Sequence, residues 1–340
     1  MDDPKPMGMP TEPQRAETGY LGSPRRRLPL PASVRPFRIA WLYAVLVVGY
    51  HLLALLALLP WFFSWAGLWL AVAGVLVING FGINVCYHRL LAHRGFTCAK
   101  WLEHAMAVLG ACSLQDTPAR WVAVHRRHHQ LADEPSDPHS PQAGFFWGHM
   151  GWLLVENDEL NRLGIYERYA KDILADRFYK TLDRNFLTVL IASWLVFFAG
   201  GCVADLLLGA GIGPALRFGC SLLVWGVFLR TVVAWHITWS VNSVTHLWGY
   251  RNYETDERSR NNWVVGILAG GEGWHNNHHA DSRSARHGHR WWELDTTYLA
   301  IRLLALMGLA QDVVMPNPRL RERYVDGRLT TRGQPQTFGD

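Results

Sequence analysis

Apolar residues are concentrated in two blocks. From Ile39 to Tyr87 there is no Asp, Glu, Lys or Arg, a run long enough for two membrane crossings of about 20 residues each. The segment Pro60-Trp61-Phe62-Phe63-Ser64-Trp65 reads as the turn between them, which puts spans at about 39–59 and 67–87. The second block starts at Phe186 and is broken by Asp205 and by Gly209-Ala210-Gly211-Ile212-Gly213-Pro214, giving spans at about 186–204 and 215–239. That glycine-rich loop lacks the strand context of a dinucleotide fingerprint and reads as a turn. The pattern predicts an all-α integral membrane protein of four transmembrane helices in two hairpins.

The segments outside the blocks are mixed in character. Residues 97–118 are moderately apolar but contain Lys100, Glu103, His104 and Asp116, which suits a short interfacial or re-entrant helix better than a span. Between Glu156 and Arg184 acidic and basic residues intermix densely, as in solvated helices packed over a site. Beyond the second block, Asp295-Thr296-Thr297 can cap an amphipathic helix carrying Tyr298, Leu299, Ile301, Leu303, Leu304 and Met307.

Charge orients the spans. Arg25, Arg26, Arg27, Arg35 and Arg38 precede the first crossing, so the positive-inside rule puts the N-terminus in the cytoplasm. Two hairpins then return the chain each time, leaving both termini on that side. Arg230 reads as the inner, snorkelling end of the fourth span, with an intramembrane ion facing the bundle as the alternative. Residues 1–38 carry eight prolines and no apolar signal core, and read as a disordered basic tail. The membrane domain is 39–314, and 315–340 reads as a polar tail. Arginine far outnumbers lysine, which points to a bacterium and so to its inner membrane. The 17 tryptophans suit membrane interfaces. The five cysteines form no C-x-x-C and read as reduced packing residues. Nothing suggests a nucleic-acid partner.

The chemistry lies in the histidines. His125-Arg126-Arg127-His128-His129 and His275-Asn276-Asn277-His278-His279 repeat one spacing. On a helix, residues three and four apart share a face, so each string can aim three imidazoles at one point. His88 and His93 stand five apart, well over a quarter turn on an ideal helix. They could serve different ions of a two-metal site, or lie where the helix ends. Asn242 stands one turn ahead of His246. Imidazole suits zinc, copper, iron or nickel, and this many ligands fits two ions with an open position. All four elements fall on the cytoplasmic side, as a helical cap. Glu272-Gly273-Trp274-His275 is a single E-x-x-H, where soluble di-iron bundles use such motifs in pairs. Glu272 is therefore expected to orient an imidazole from behind, with Asp137 in the same role and Asp133 and Asp281 as weaker candidates. His51 and His236, inside spans, read as packing residues, and His287 as a histidine outside the site.

These strings resemble the membrane fatty acyl desaturases, closest to the bacterial relatives of the acyl-CoA delta-9 enzymes. The resemblance runs from about Ile39 to Val314. It includes Asp137-Pro138-His139-Ser140-Pro141, Gly148-His149-Met150-Gly151-Trp152, Asn242-Ser243-Val244-Thr245-His246-Leu247-Trp248-Gly249, Ser259-Arg260-Asn261-Asn262-Trp263 and Gly271-Glu272-Gly273-Trp274-His275. It implies a di-iron centre held by His88, His93, His125, His128, His129, His246, His275, His278 and His279, with Asn242 holding one iron through a water. It also implies oxygen as co-substrate and a cis double bond, delta-9, put into a saturated acyl chain carried on coenzyme A.

Arg120, Arg126, Arg127 and Arg286 are candidates to meet the substrate headgroup. The animal enzymes have an Arg-Asp pair before the second box where this chain has Ala123-Val124, which opens a carrier-protein or phospholipid substrate. No His-Pro-Gly-Gly, C-x-x-C or nucleotide fingerprint occurs, so a separate donor of ferredoxin, rubredoxin or cytochrome type, with its reductase, is expected. The alternatives are a hydroxylase or ketolase on the same frame, or a metal transporter, which would tend to place its ligands inside the spans.

Overall fold

The computed structural model describes residues 27–318 apart from Asn161, together with Leu320 and the short strands Tyr324–Val325 and Arg328–Leu329. Four helices are long and apolar enough to cross a membrane: α1 (Trp41–Leu58), α2 (Trp65–Ala92), then, later in the chain, Phe186–Leu207 and Ile212–His246. The second and fourth run past the expected ends at 87 and 239. The reason is that the polar residues of the first histidine element and of Asn242 to His246 continue the helices and are buried against other protein rather than lipid.

Between the two pairs lie α3 (Lys100–Ala111), α4 (Pro118–Leu131), α5 (Phe145–His149), α6 (Arg162–Tyr169) and α7 (Arg177–Arg184). The remaining spans are α8 (Phe186–Leu207) and α9 (Ile212–His246). The fold closes with α10 (Trp263–Leu268), α11 (His275–Ala280) and α12 (Thr296–Leu306). Helix α4 starts where Thr117 Oγ1 accepts from Arg120 N and Pro118 takes the first position, a combination that fixes a helix start. The Asp295 side chain caps α12 by accepting from Tyr298 N.

Burial sorts the spans: 61% of the α9 window is enclosed, against 11% of α8. Helix α9 is thus central and α8 peripheral. Small residues set the close contacts, since a Cβ at Gly201 would lie 2.9 Å from Gly219 Cα, and one at Gly82 would collide with Gly110 N. Gly82 therefore serves helix packing. Helix α3 lies on α2 through Met106, Ala107 and Ala111, and α6 and α7 bury Ile165, Tyr179 and Leu182 in the same core.

The expected N-terminal tail needs correction within the described residues. Residues 27–38 are packed, not free: Val34 is buried with Ala143, Trp147 and Val155, and Leu28 N donates to Gln142 O at 3.1 Å. Apolar side chains at 28, 30 and 34 supply the burial that proline content alone did not suggest. At the other end, Asn317 N donates to Asp281 at 2.8 Å. Residues 1–26 and most of 319–340 lie outside the described residues.

One buried cation ties these parts together. Arg89, on α2, donates through Nε and Nη2 to Glu272 at 3.0 and 2.8 Å and through Nη1 to Asp295 at 2.9 Å and Ala285 O at 2.7 Å. Removing one member of such a buried network strands the opposite charges, at a cost of about 3–5 kcal/mol. Arg89→Ala is expected to lower the thermal unfolding midpoint in detergent sharply, and Arg89→Lys to rescue it only in part, because the bidentate fork is lost.

Candidate metal centre

The nine histidines singled out by the sequence converge in two groups. His88, His93, His125, His129 and His278 form one, and His128, His246, His275 and His279 the other; within each, one ring nitrogen per residue lies within 4.8 Å of the others. The two strings are therefore split rather than each aimed at one point. Helix α4 sends His125 and His129 to the first group and His128 to the second. Helix α11 does the reverse, sending His275 and His279 to the second and His278 to the first. The cause is the turn of the helix: positions i and i+4 nearly overlay, whereas i+3 lies about 100° from i+4.

The His88–His93 pair is brought together by unusual winding. The last 18 residues of α2, Val75–Ala92, are π-helical, and His93 N donates to His88 O, five residues back, at 3.1 Å. With about 4.4 residues per turn, positions five apart return to nearly the same face. The two rings stand 4.9 Å apart in one group.

Ring nitrogens of different histidines meet one another at short range. Nε2 to Nε2 distances are 2.7 Å for His93–His125, 2.9 Å for His129–His278, and 3.1 Å for both His88–His278 and His275–His279. Neighbouring nitrogens bound to one ion at about 2.1 Å and at right angles would stand about 3.0 Å apart. Nε2 of His128 and of His246 is buried with no protein partner. Burial first, and the neighbouring imidazoles next, push His93, His125, His129, His275, His278 and His279 well below the ordinary histidine range. The rings are thus neutral donors, the form a metal requires. The set fits two transition-metal ions.

Carboxylates back these rings. His128 Nδ1 donates to Asp137 at 3.1 Å and His246 Nδ1 to Asp133 at 2.8 Å. Burial would raise both acids, but His128 and His246 respectively hold them below the usual range. His88 Nδ1 lies 2.8 Å from Glu272 Oε2. Against its own burial, Glu272 is held well below its usual range by Arg89, His287 and His88. Asp281 instead receives Asn317 N. Glu257, 3.8 Å from His246 Nδ1 and from His279 Nδ1, joins the ring of acids from a loop with no motif spacing.

His287 belongs here too, contrary to the expectation. It is fully buried, its Nδ1 is 2.9 Å from Glu272 Oε2, and its ring is 4.4 Å from that of His278. Between the ligating positions, the Asn277 side chain donates to Glu293 at 2.7 Å and to His287 O at 2.8 Å, anchoring α11. Asn242 lines a small cavity with His88, His125, Glu272, His275, Trp121, Thr238 and Val241.

The four arginines are engaged within the fold. Arg120 pairs with Asp116 at 3.1 Å and donates to Leu160 O, and Arg127 pairs with Glu159. Arg126 donates to the carbonyls of Leu91, Ala92 and Tyr169 and to Asp172. Arg286 donates to Gly288 O at 2.6 Å. Away from the nine, His51 and His236 meet at 3.1 Å and His236 and His149 at 3.0 Å in a hydrogen-bonded chain.

Known proteins resemble this chain in sequence. The family model for fatty acid desaturase matches residues 63–311. An sn-1 stearoyl-lipid 9-desaturase of Synechocystis sp. is 40% identical over 288 residues, 84% of each chain. An sn-2 palmitoyl-lipid 9-desaturase of Nostoc sp. is 42% identical over 283 residues, 83% of this chain and 93% of that one. An acyl-CoA 5-desaturase of Anemone leveillei is 39% identical over 298 residues, 85% of this chain and 86% of its own. With the family model covering most of its length and relatives this similar, the chain belongs to the fatty acid desaturase family, oxidoreductases acting on fatty acyl chains.

Proposed function

We propose that this protein inserts a cis double bond at the delta-9 position of a long saturated chain esterified in a membrane glycerolipid. The two imidazole groups would each hold one iron. The observation that carries this reading is the convergence of nine imidazoles into two groups at one end of the apolar bundle. Bound iron supplies the oxidising power that removing hydrogen from unactivated methylenes demands. The balance is one saturated bond, one oxygen molecule, two electrons and two protons giving one double bond and two waters. Electrons come from a separate ferredoxin, rubredoxin or cytochrome-like protein.

The chain's own residues supply order. Asp137 and Asp133 fix the Nδ1–H tautomers of His128 and His246, which turns Nε2 toward the ion. Glu272, held by Arg89, does the same for His88, and Asn242 would reach the second ion through a water. Trp121, Ile83, Thr238 and Val241 line the small cavity beside the imidazoles, where an acyl chain would have to come close. The two helical pairs would form hairpins, with the histidine cap on the cytoplasmic side of a bacterial inner membrane.

Three considerations favour a glycerolipid over coenzyme A. Several similar proteins bear acyl-lipid names. Ala123-Val124 replaces the Arg-Asp pair of the animal acyl-CoA enzymes. Arg120, Arg126, Arg127 and Arg286 already have partners inside the fold, so none of these four stands free for a polyphosphate.

Lipid profiling with double-bond localisation, in cells with and without the protein, should show new delta-9 bonds within one class of intact glycerolipid before they reach the thioester pool. New unsaturation arising first on acyl-CoA would move the assignment to that substrate, and hydroxylated products would favour the hydroxylase reading. In competition titrations with a metal chelator, Glu272→Gln and Asp133→Asn are each expected to weaken iron retention by about 10–100-fold.

A further inference from the structure

One cavity lies remote from the histidines. It occupies about 440 Å³ between the turn joining α1 to α2 and the first turns of α9, and is lined by Trp61, Phe63, Ser64, Arg217, Phe218 and Ser221. Ser64 and Ile212 open the second and fourth spans, whereas His88 and His246 lie near their far ends. Some 23 helical residues from Trp65 to His88 put the cavity roughly 30 Å from the metal centre.

Charge is scarce at this end. From Ile39 to Tyr87 there is none, and between Phe186 and Leu229 the only charged residues are Asp205 and Arg217. Arg217 is held in place: its Nε donates to Trp61 O at 2.8 Å and its Nη2 to Pro60 O at 3.4 Å. Both partners are neutral carbonyls, and among the described residues no carboxylate pairs with it. Nη1 keeps both protons for a ligand, and the charge is uncompensated. Ser64 and Ser221 hydroxyls, 2.7 Å apart, add polar atoms to the wall.

The surroundings identify the ligand. Trp61 is of the type that collects at headgroup depth, Phe63 adds an aromatic face to the cavity, and Leu58, Leu207, Leu208, Ile212 and Leu216 present exposed apolar surface at the same end of the spans. A phosphate with hydrocarbon tails matches a fixed guanidinium flanked by such surface. A volume near 440 Å³ falls within the about 300–1,000 Å³ of ordinary ligand sites. We propose that this cavity binds the phosphate headgroup of an anionic phospholipid, on the membrane face opposite the metal centre, and that the lipid braces the α1–α2 turn against α9.

Native mass spectrometry of the metal-loaded, full-length protein in detergent tests this, with phosphatidylglycerol or phosphatidylcholine added. The wild type should retain a single phosphatidylglycerol in clear preference to phosphatidylcholine. Arg217→Gln should weaken that retention at least tenfold, as should Gly213→Phe, which fills open space in the cavity wall without touching the charge. Both variants should keep the iron content of the wild type, since neither position approaches the histidines. Equal retention of the two lipids by the wild type overturns the proposal, even where a variant fails to fold. So does undiminished phosphatidylglycerol binding in both variants. Inorganic phosphate raising the unfolding midpoint as much as the lipid would overturn the lipid assignment.

Discussion

The fold depends on burying one charged unit, Arg89 with Glu272 and Asp295. The guanidinium leaves α2 just after the first histidine, meets the acid just before the third box, and reaches the cap of α12. A buried charge is costly unless it is paired and hydrogen-bonded, and here the pairing does positional work. Glu272 can face His88 because Arg89 holds it, and α11 stands opposite α4 because Glu272 is fixed. The same rule recurs at Asp133 and Asp137, each buried and each answered by an imidazole Nδ1–H.

Around that unit the two histidine helices exchange ligands. Each contributes a pair four residues apart to one group and a single ring to the other, so neither group is complete without both helices. A displacement of either helix would therefore open both groups at once. The asparagines within the third box carry part of this load: Asn277 with Glu293, and Asn276 with the backbone of Asn252 and Tyr253, fix a helix of only six residues.

Much of this was legible in the sequence, because membrane spans and histidine strings are written in contiguous residues. The charge-free stretch marked the first two spans, and the spacing of His125, His128, His129, His275, His278 and His279 marked the ligating faces. What stayed hidden depends on contacts distant in sequence or on departures from ideal winding. Of the two readings of His88 and His93, the structure supports the one in which the pair lies where the helix ends: α2 stops at Ala92, His93 caps it, and the π-helical winding brings both rings to one group. Glu257 and His287 carry no motif, and only the folded loops bring them beside His279 and Glu272. Arg126 looked free beside its box, yet its partner Asp172 is 46 residues away.

The central claim is that two ions are held by nitrogen ligands shared between the boxes. Metal analysis with iron-edge X-ray absorption on anaerobically purified protein tests it most directly, comparing the wild type with His128→Ala, His275→Ala and His278→Ala. The account predicts two irons per chain in the wild type, with nitrogen neighbours at about 2.1 Å. His128→Ala should lose the same iron as His275→Ala, and His278→Ala the other. A single iron, carboxylate oxygens in the ligand shell, or loss of one and the same ion from every substitution within one string would contradict it.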